Sequence, residues 1–483
     1  MLKTDEFFKT NTHYFNMKLC ATYCHNKNFN FYCGRQICHG DLHESPDKPS
    51  IDFHLLFPAN PGKISVLLTA VIVSLIICSG GLFVPPCIGA KNLSASIISA
   101  NYPIGIVLAD DQGNILYSRN KDRQFIPASI LKILTSLAAI NILGQDYRFS
   151  TAYFFDKNSK NLYIKGFGDP LLISEIIETL CLDIILTTKI KQIHHIILDP
   201  TYFSEQITVP GKSNSLNPYD APVGALCANF NTIMFKWSSK QNKFVSAEAQ
   251  TPLLSVFYDD INRSGLRQGR IILSKQQSFL YPGQLIKYFL EKNHIKITGD
   301  VLQGTWDTRK LDIKEKDEHL FVSPFELKEI VKKLLKYSSN FIANQLVLTI
   351  GAKTYGTPAT LEKGVNTILD YSINHLKLSH LRLSEGSGLS RKNRISPDQM
   401  LKILIEFMPF YSLLNCKNND FFKTGTLSDV RTCAGYILGD DNKFYPYVIM
   451  VNQKNRDYKS ILKKLQTKVS QITNQKKTKK KLI

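Results

Sequence analysis

The stretch Phe125-Ile126-Pro127-Ala128-Ser129-Ile130-Leu131-Lys132-Ile133-Leu134-Thr135 places a hydroxyl and an amine three positions apart in an apolar, helix-like run. Pro127 favours a first helical turn, so Ser129 is expected near a helix N-terminus, where unpaired N–H groups favour negative charge. Positions three apart share a helix face, and the apolar neighbours of Lys132 should desolvate its amine and lower its pKa. The stretch therefore predicts Ser129 as a nucleophile with Lys132 as its base.

The same Ser-x-x-Lys pattern also occurs at three other places in the chain, beginning at Ser45, Ser118 and Ser460. An isolated match fits a helix-start serine and a solvated lysine equally well. The prediction for Ser129 therefore depends on further motifs.

Length and composition indicate a folded protein of two or three domains, with 483 residues of which 43% are hydrophobic. The net charge of +20 is carried by the later part of the chain, because residues 1–62 hold six Lys/Arg against six Asp/Glu. A basic surface suits anionic partners such as phospholipid or carboxylated wall polymers. No zinc-finger, helix-turn-helix or RNA-recognition pattern occurs, so nucleic acid is not an expected partner.

The ten cysteines are too scattered for a disulfide framework. An N-terminal group could in principle bind a metal, but its spacing fits no usual zinc template. Its members are Cys20, Cys24, Cys33, Cys38, His39 and His43. The sequence therefore predicts neither a metal nor an organic cofactor.

Residues 64–78 form an uncharged apolar run that follows Lys63 and leads to Gly89-Ala90. The run is shorter than the ~20 residues that span a bilayer, which favours a signal peptide over an anchor extended to Ile88. About sixty residues precede it, which is unusual for a signal, so the true start could lie downstream of Met1. A buried core helix is a further alternative. The expectation is that Lys91 onward is exported to the periplasm or cell surface.

Patterns of apolar residues and turn signals predict alternating strands and helices from Lys91 onward. The expected strands are 104–109, 115–118, 149–155, 162–165, 195–199, 421–426, 432–438 and 445–452. The expected helices are 93–100, the Ser129 helix, 172–185, one starting at Ser323-Pro324, one containing Ile342, one starting at Ser396-Pro397, and 457–472.

Two more motifs accompany Ser129 and Lys132. Lys423-Thr424-Gly425-Thr426 contains the only Lys-Thr-Gly in the chain. Among several Ser-x-Asn matches, only Ser338-Ser339-Asn340 lies in a predicted helix-to-helix corner between the other two motifs. Ser-x-x-Lys, Ser-x-Asn and Lys-Thr-Gly in this order describe the active site of serine penicillin-recognising enzymes.

The resemblance extends to longer patterns between about residues 91 and 472. They are Ile126-Pro127-Ala128-Ser129, Gly-x-Gly-Asp-Pro at 166–170, Tyr-x-Ala-Pro-x-x-Ala-Leu at 219–226, Gly-Ser-Gly-Leu-Ser-Arg at 386–391 and Lys-Thr-Gly-Thr-Leu at 423–427. Together they resemble the low-molecular-mass class C penicillin-binding proteins, the D-alanyl-D-alanine carboxypeptidase/endopeptidases. The patterns at 166–170 and 219–226 are interpreted as turns and packing corners. Glu385 departs from the family, which has Asp there, and is not expected to touch the chemistry.

The resemblance implies an α/β (α+β) fold with a β-lactamase/transpeptidase-like domain, an antiparallel sheet flanked by helices, and an inserted β-rich accessory domain. The catalytic domain would be discontinuous, formed by 91–147 and 318–472 around an insertion at 148–317. Residues 1–62 have no counterpart in the family, 63–90 would be the signal or anchor, and 473–483 a basic tail.

The resemblance also implies a mechanism and a substrate, a wall peptide ending in D-Ala-D-Ala. Ser129 would form an acyl-enzyme with Lys132 as base, and β-lactams would bind as covalent inhibitors. Ser338 would relay the proton, and Asn340 would hold the substrate amide. The backbone N–H groups of Ser129 and Thr426 would form the oxyanion hole. Lys423, Thr424, Gly425 and Thr426 would bind the substrate's terminal carboxylate.

Two other functions compete with this one. A β-lactamase uses the same motifs, although the chain shows no evident deacylating carboxylate. A non-catalytic wall-binding protein would keep the fold alone. Membrane association through 64–88 or the basic tail is a further possibility.

Overall fold

A six-stranded sheet is assembled from the two ends of the part of the chain that the structure describes. The structure is a computed structural model, and it describes residues 104–213, 215, 217–306 and 318–481. The predicted helix at 93–100, the apolar run at 64–78 and the N-terminal cysteine group lie outside these residues.

The strands are β1 (Ile104–Ala109), β2 (Ile115–Arg119), β3 (Arg148–Asp156), β4 (Asn161–Gly166), β5 (Gln192–Ile193), β6 (Ile196–Asp199), β7 (Thr232–Ser238), β8 (Lys243–Ser246), β9 (Gln268–Ile272), β10 (Lys296–Ile297), β11 (Val301–Gln303), β12 (His319–Glu326), β13 (Asn415–Lys417), β14 (Asp420–Leu427), β15 (Val430–Leu438) and β16 (Phe444–Val451). The α-helices are α1 (Lys132–Leu143), α2 (Ser174–Thr188), α3 (Tyr258–Arg263), α4 (Lys275–Lys292), α5 (Leu327–Tyr337), α6 (Asn340–Tyr355), α7 (Leu361–Asn374), α8 (Pro397–Phe407) and α9 (Lys459–Lys481).

The six-stranded sheet has the order β13-β14-β15-β16-β1-β2, and all its pairs are antiparallel. The predicted N-terminal hairpin and the three predicted closing strands are confirmed, and the short β13 is added at the edge. Strand β1 joins the closing strands through the pair Ile106 and Ile449. Its six residues are all buried, so the sheet is covered on both faces at its centre.

Helix α9 packs against this sheet through apolar residues four positions apart, Ile461, Leu465 and Val469. The helix runs on to Lys481, whereas the sequence predicted that it ends at Ile472. The backbone of the basic tail is therefore helical through Lys481.

The region 148–326 adds a five-stranded sheet of order β11-β6-β4-β3-β12 and a three-stranded sheet of order β8-β7-β9. The first sheet is mixed, because β4 and β11 pair with β6 in parallel while β3 and β12 pair antiparallel. The antiparallel sheet flanked by helices and the additional β-rich segment agree with the predicted α+β class.

The helix predicted to start at Ser323-Pro324 is present, but its predicted start is wrong. Residues 319–326 form β12, in which Val322 pairs with Ser150 of β3, and the helix starts at Leu327 after a Glu326 cap. Ser-Pro is a common helix start, but here pairing with a neighbouring strand satisfies the backbone instead. Helix α4 was missed, because Pro282 and Gly283 interrupt its pattern.

None of the helices in the described ranges is long and apolar enough to cross a lipid bilayer.

Candidate active site

Ser129 lies in a 3-10 turn, Ala128–Leu131, that leads directly into α1 at Lys132. The predicted position near a helix start is confirmed. Ala128 has a φ of 48°, in the left-handed region that costs a non-glycine residue about 1–3 kcal/mol. The serine therefore follows a strained residue that the surrounding structure must hold in place.

Two polar side chains from the sheet hold this turn. The Thr432 hydroxyl of β15 donates to the Pro127 carbonyl at 2.7 Å. The Asn452 amide, just after β16, accepts from the Ile126 N–H at 2.7 Å and donates to its carbonyl at 3.1 Å. These contacts fix the turn relative to the sheet whose strand β14 carries the Lys-Thr-Gly motif.

The backbone of Ser129 is approached from two sides by glycines. A Cβ placed on Gly425 of β14 would lie 2.8 Å from the Ser129 nitrogen. A Cβ on Gly388 would overlap the Ala128 carbonyl oxygen, and Gly388 also has a φ of +82°. Strand β14 and the loop at 385–393 thus flank the serine at distances that exclude any side chain.

The amine of Lys132 is completely buried, with 0% of its surface exposed. Its Nζ lies 3.0 Å from the Ser129 Oγ, 2.8 Å from the Asn340 Oδ1 and 2.6 Å from the Ser387 carbonyl oxygen. Ser129 itself is only partly buried. The predicted pair is therefore in hydrogen-bond contact, with the hydroxyl at the accessible end.

Burial lowers the pKa of Lys132 well below its ordinary value, and the nearby ammonium of Lys423 lowers it further. The carboxylate of Glu385 acts in the opposite direction and raises it. Burial also lowers the pKa of Lys423, to about 8. The predicted desolvation of Lys132 is present, and its pKa is lowered in the direction that favours a neutral amine.

Asn340 is the first residue of α6, and its side-chain amide donates to the Tyr219 carbonyl at 3.5 Å. Ser338 ends α5 with a φ of 56° and lies two residues before Asn340. Within the described ranges no hydrogen bond joins the Ser338 hydroxyl to Ser129 or Lys423. The Ser338-Ser339-Asn340 motif therefore contacts the Lys132 amine through Asn340. A contact of Ser338 with Ser129 or Lys423 stays a prediction.

Lys423, Thr424, Gly425 and Thr426 lie in β14, as predicted. The short β13 pairs only with residues 420–422, so no strand in the described part of the chain covers the outer side of β14 from Lys423 onward. Lys423 is 2% exposed, and its Nζ donates to the Thr424 carbonyl at 2.7 Å. Thr424 is partly buried and Thr426 is exposed, so both side chains are accessible on either side of Gly425 along β14.

The patterns at 166–170 and 219–226, which the sequence indicated to be turns and packing corners, pack on each other. The Gly168 N–H donates to the Ala225 carbonyl at 2.7 Å. The Gln345 amide of α6 donates to the Gly224 carbonyl at 2.9 Å. These corners therefore support the helix that presents Asn340.

Several residues of the site were missed in the sequence. Ser387 contributes a backbone carbonyl, which no side-chain motif reveals, although the Gly-Ser-Gly signal marks the loop. Thr432 and Asn452 act on the backbone of residues hundreds of positions away. Tyr219 was quoted in a motif, but its carbonyl contact with Asn340 depends on the tertiary fold.

The described ranges contain no group of three or more His, Cys, Asp or Glu side chains arranged to hold a metal ion. Their four cysteines, Cys181, Cys227, Cys416 and Cys433, are free thiols. The candidate N-terminal zinc ligands lie outside the described residues.

Comparison with known proteins gives consistent results. The model of the D-Ala-D-Ala carboxypeptidase 3 (S13) family matches residues 96–262 and 265–412. A D-alanyl-D-alanine carboxypeptidase of Actinomadura sp. (strain R39) is 24% identical over 412 residues, covering 70% of this chain and 76% of that protein. The D-alanyl-D-alanine carboxypeptidase DacB of Haemophilus influenzae is 24% identical over 428 residues, covering 75% of this chain and 88% of the relative.

Solved structures show the same fold. The crystal structure of penicillin binding protein 4 (DacB) from Haemophilus influenzae superposes with a TM-score of 0.61 at 21% identity, covering 73% of this chain and 91% of that one. The same protein complexed with a β-lactam gives a TM-score of 0.56 at 19% identity, with 73% and 90% covered. The predicted fold class is thereby confirmed.

The family model matches well over half of the chain and includes the stretches that hold Ser129, Lys132, Ser338 and Asn340. The carboxypeptidase function expected from the motifs is confirmed at the level of the family. The chain belongs to the D-Ala-D-Ala carboxypeptidase 3 (S13) family.

Proposed function

We propose that this protein is a serine-type D-Ala-D-Ala carboxypeptidase that acts on peptidoglycan peptides through an acyl-enzyme on Ser129. The observation that carries the proposal is the buried Lys132 amine, 3.0 Å from the Ser129 hydroxyl. Cleavage of cross-links between wall peptides, an endopeptidase reaction, would use the same site.

The partners of Lys132 support its role as the base. The Asn340 Oδ1 and the Ser387 carbonyl oxygen can only accept hydrogen bonds, so each takes one N–H of a neutral amine. The lone pair of that amine is then left facing the third partner, the Ser129 hydroxyl. This arrangement accepts the hydroxyl proton without any rearrangement of the lysine.

The proposed reaction runs in two steps. The Ser129 oxygen attacks the carbonyl carbon between the two D-alanines while its proton passes to Lys132. The terminal D-alanine leaves when its nitrogen receives a proton, for which Ser338 is the proposed relay. Water then hydrolyses the ester on Ser129, and the same amine serves as base again.

The remaining residues are proposed to bind charge and substrate. The backbone N–H groups of Ser129 and Thr426 would stabilise the oxyanion, which the close approach of Gly425 to the Ser129 nitrogen supports. The ammonium of Lys423 and the hydroxyls of Thr424 and Thr426 would bind the terminal carboxylate. Asn340 would hold the substrate amide.

Release of D-alanine from a synthetic peptide ending in D-Ala-D-Ala tests the proposal. The wild-type protein should release it, Ser129→Ala should not, and Lys132→Ala should be slower by about 10²- to 10⁴-fold. Release by Ser129→Ala at the wild-type rate would refute the assignment. β-Lactam turnover measured beside it decides the competing function, because a β-lactamase would hydrolyse penicillin faster than the peptide.

We also propose that the catalytic domain is formed by 91–147 and 318–472 around an insertion at 148–317. The pairing of β1 with β16 in one sheet supports this division. Strand β12 lies after the expected boundary and pairs with β3 of the insertion. The exact boundary therefore depends on whether β12 is counted with the insertion.

We propose that the folded part works outside the cytoplasm, in the periplasm or at the cell surface. The apolar run at 64–78 and a wall-peptide substrate support export. The basic end of α9 is proposed as a weak contact to anionic lipid. Cell fractionation with N-terminal sequencing tests both, and recovery of the intact chain in the cytosol would refute export.

A further inference from the structure

Glu385 lies in the loop between α7 and α8, and its carboxylate is completely buried, with 0% of the residue exposed. One oxygen accepts hydrogen bonds from the Ser387 N–H and hydroxyl, both at 2.6 Å, and from the Asn344 amide at 3.4 Å. The other accepts from the Ser390 N–H at 3.2 Å and the Asn393 amide at 2.8 Å. Backbone and amide N–H groups are donors only, which is the environment of an ionised carboxylate.

This carboxylate is linked to both acceptors of the Lys132 amine. It binds Ser387 at two atoms, and the Ser387 carbonyl accepts from the Lys132 Nζ at 2.6 Å. It also accepts from Asn344, whose amide donates to the Asn340 carbonyl at 3.1 Å. One network centred on Glu385 therefore holds the Ser387 carbonyl oxygen that orients the amine and, through Asn344, the backbone of Asn340.

The neighbouring peptide is fixed in the same way. The Thr135 hydroxyl of α1 donates to the Gly386 carbonyl at 2.7 Å, and the Gly386 N–H donates to the Asn344 Oδ1 at 3.0 Å. Residues 385–387 thus have little freedom to move unless the carboxylate is lost. Removal of its charge would leave several buried donors without an acceptor of equal strength.

We propose that Glu385 is a positioning residue: its buried carboxylate fixes the Ser387 carbonyl oxygen that aims the Lys132 amine at Ser129, and its negative charge stabilises the ammonium that forms when Ser129 gives up its proton. In this proposal the carboxylate does not touch the substrate. This inference rests on the proposed acyl-enzyme on Ser129.

The charges around Lys132 give the sign of the effect. Two ionisable groups act on it from the elements packed around it, Lys423 of β14 and Glu385 of the loop. Lys423 lowers the pKa of Lys132 and Glu385 raises it, so loss of the Glu385 charge should lower that pKa. The base form of Lys132 would then persist to lower pH.

The test is the rate of acylation by a fluorescent penicillin across pH in Glu385→Gln, with Glu385→Asp and Asn393→Ala beside it. Glu385→Gln should acylate about 10- to 100-fold more slowly, because the amine is no longer aimed, and the acid limb of its pH profile should move to lower pH. Glu385→Asp retains the charge and should restore the wild-type limb and much of the rate. Asn393→Ala loosens the same loop and keeps the negative charge of Glu385. It should therefore lower the Tm and leave the acid limb of the pH profile at the wild-type pH.

The inference would be overturned if the acid limb of Glu385→Gln stays at the wild-type pH and its acylation rate falls no further than that of Asn393→Ala. If Glu385→Gln does not fold, Ser387→Ala decides, because it removes one hydrogen bond to the carboxylate and keeps the charge. It should acylate more slowly by about fivefold with an unmoved limb, and a wild-type rate would overturn the inference. Absence of acylation in the wild type would instead refute the proposed function itself.

Discussion

Two buried lysines determine the electrostatics of the site at the scale of single residues. Burial lowers the pKa of both, and the charge of Lys423 lowers that of Lys132 further. The proposed chemistry needs Lys132 neutral and Lys423 charged. Since the pKa of Lys132 lies well below its ordinary value and that of Lys423 is about 8, we expect activity in a pH window that closes as pH rises through about 8.

We therefore expect a bell-shaped pH profile of kcat/KM for D-alanine release. Activity should rise as Lys132 loses its proton and fall above about pH 8 as Lys423 loses its charge. Lys423→Arg is the matched variant, because a guanidinium stays charged throughout this range. Its profile should lose the alkaline limb, and a limb that persists near the same pH would show that another group produces it.

Asp169 gives a prediction for stability. Burial raises the pKa of its carboxyl from 3.8 to about 6, so the folded state binds this proton more tightly than the unfolded chain. Its contribution to stability is complete below about pH 4 and is lost as pH rises through about 6. The rise from 3.8 to about 6 corresponds to about 3 kcal/mol at ~1.4 kcal/mol per pH unit.

Asp169→Asn cannot ionise, and its Oδ1 can still accept from the Leu171 N–H, which lies 2.8 Å from the Asp169 oxygen. Its Tm should exceed that of the wild type above pH 6, and the difference should shrink towards zero near pH 4. Asp122→Asn is a suitable control, because the Asp122 side chain is 75% exposed and its loss should leave the Tm nearly unchanged. An equal Tm gap at pH 4 and pH 7 for Asp169→Asn would contradict the prediction.

At the scale of elements, the turn that carries Ser129 lies between strand β14 and the loop at 385–393. Both approach its backbone with a glycine, Gly425 and Gly388. Gly388 and Gly356 both have left-handed φ values, +82° and +77°, but only the first faces another backbone. Alanine should cost each about 1–2 kcal/mol in backbone strain. At Gly388 the added methyl would also displace the Ala128 carbonyl, which precedes the serine.

Gly388→Ala should therefore lose penicillin acylation by at least about 10²-fold, whereas Gly356→Ala should acylate like the wild type despite a similar fall in Tm. Stopped-flow acylation with Tm measured in parallel separates the two effects. Equal acylation rates in the two variants would show that the close approach at Gly388 is not needed for the reaction.

The elements also show what the sequence could and could not predict. Strands β1, β2 and β14–β16 follow from short apolar runs bounded by turn residues, and Ser129, Lys132 and Asn340 follow from motifs whose spacing reflects local geometry. Helix α4 did not follow, because Pro282 and Gly283 resemble a break. Strand β12 did not follow either, since its pairing with β3 depends on a partner about 170 residues away.

At the scale of the whole molecule, the site exists only because distant segments meet. The Lys132 amine contacts Asn340 and Ser387, which are separated from it by 208 and 255 positions. The turn that carries Ser129 is tied to Thr432 and Asn452 of the closing strands. Motifs could identify the side chains of this assembly, but not the backbone carbonyl of Ser387 or the buried network of Glu385, because these act only through tertiary contacts.

This dependence on the folded unit predicts that Ser129 is reactive only in the native protein. A serine hydroxyl in an unfolded chain has no buried amine beside it and reacts negligibly with a β-lactam. Protein denatured in urea should therefore form no adduct with labelled penicillin, and refolded protein should regain it. Labelling of the denatured chain at the native rate would show that the assembled site is not required.

The most direct measurement is peptide mapping by mass spectrometry after brief exposure of the native protein to labelled penicillin. A single adduct is expected on Ser129 of the wild-type protein. The Ser129→Ala variant should form no adduct, and its Tm should match that of the wild type, which shows that it is folded. An adduct on any other residue, or undiminished labelling of Ser129→Ala, would contradict the assignment of Ser129 as the nucleophile.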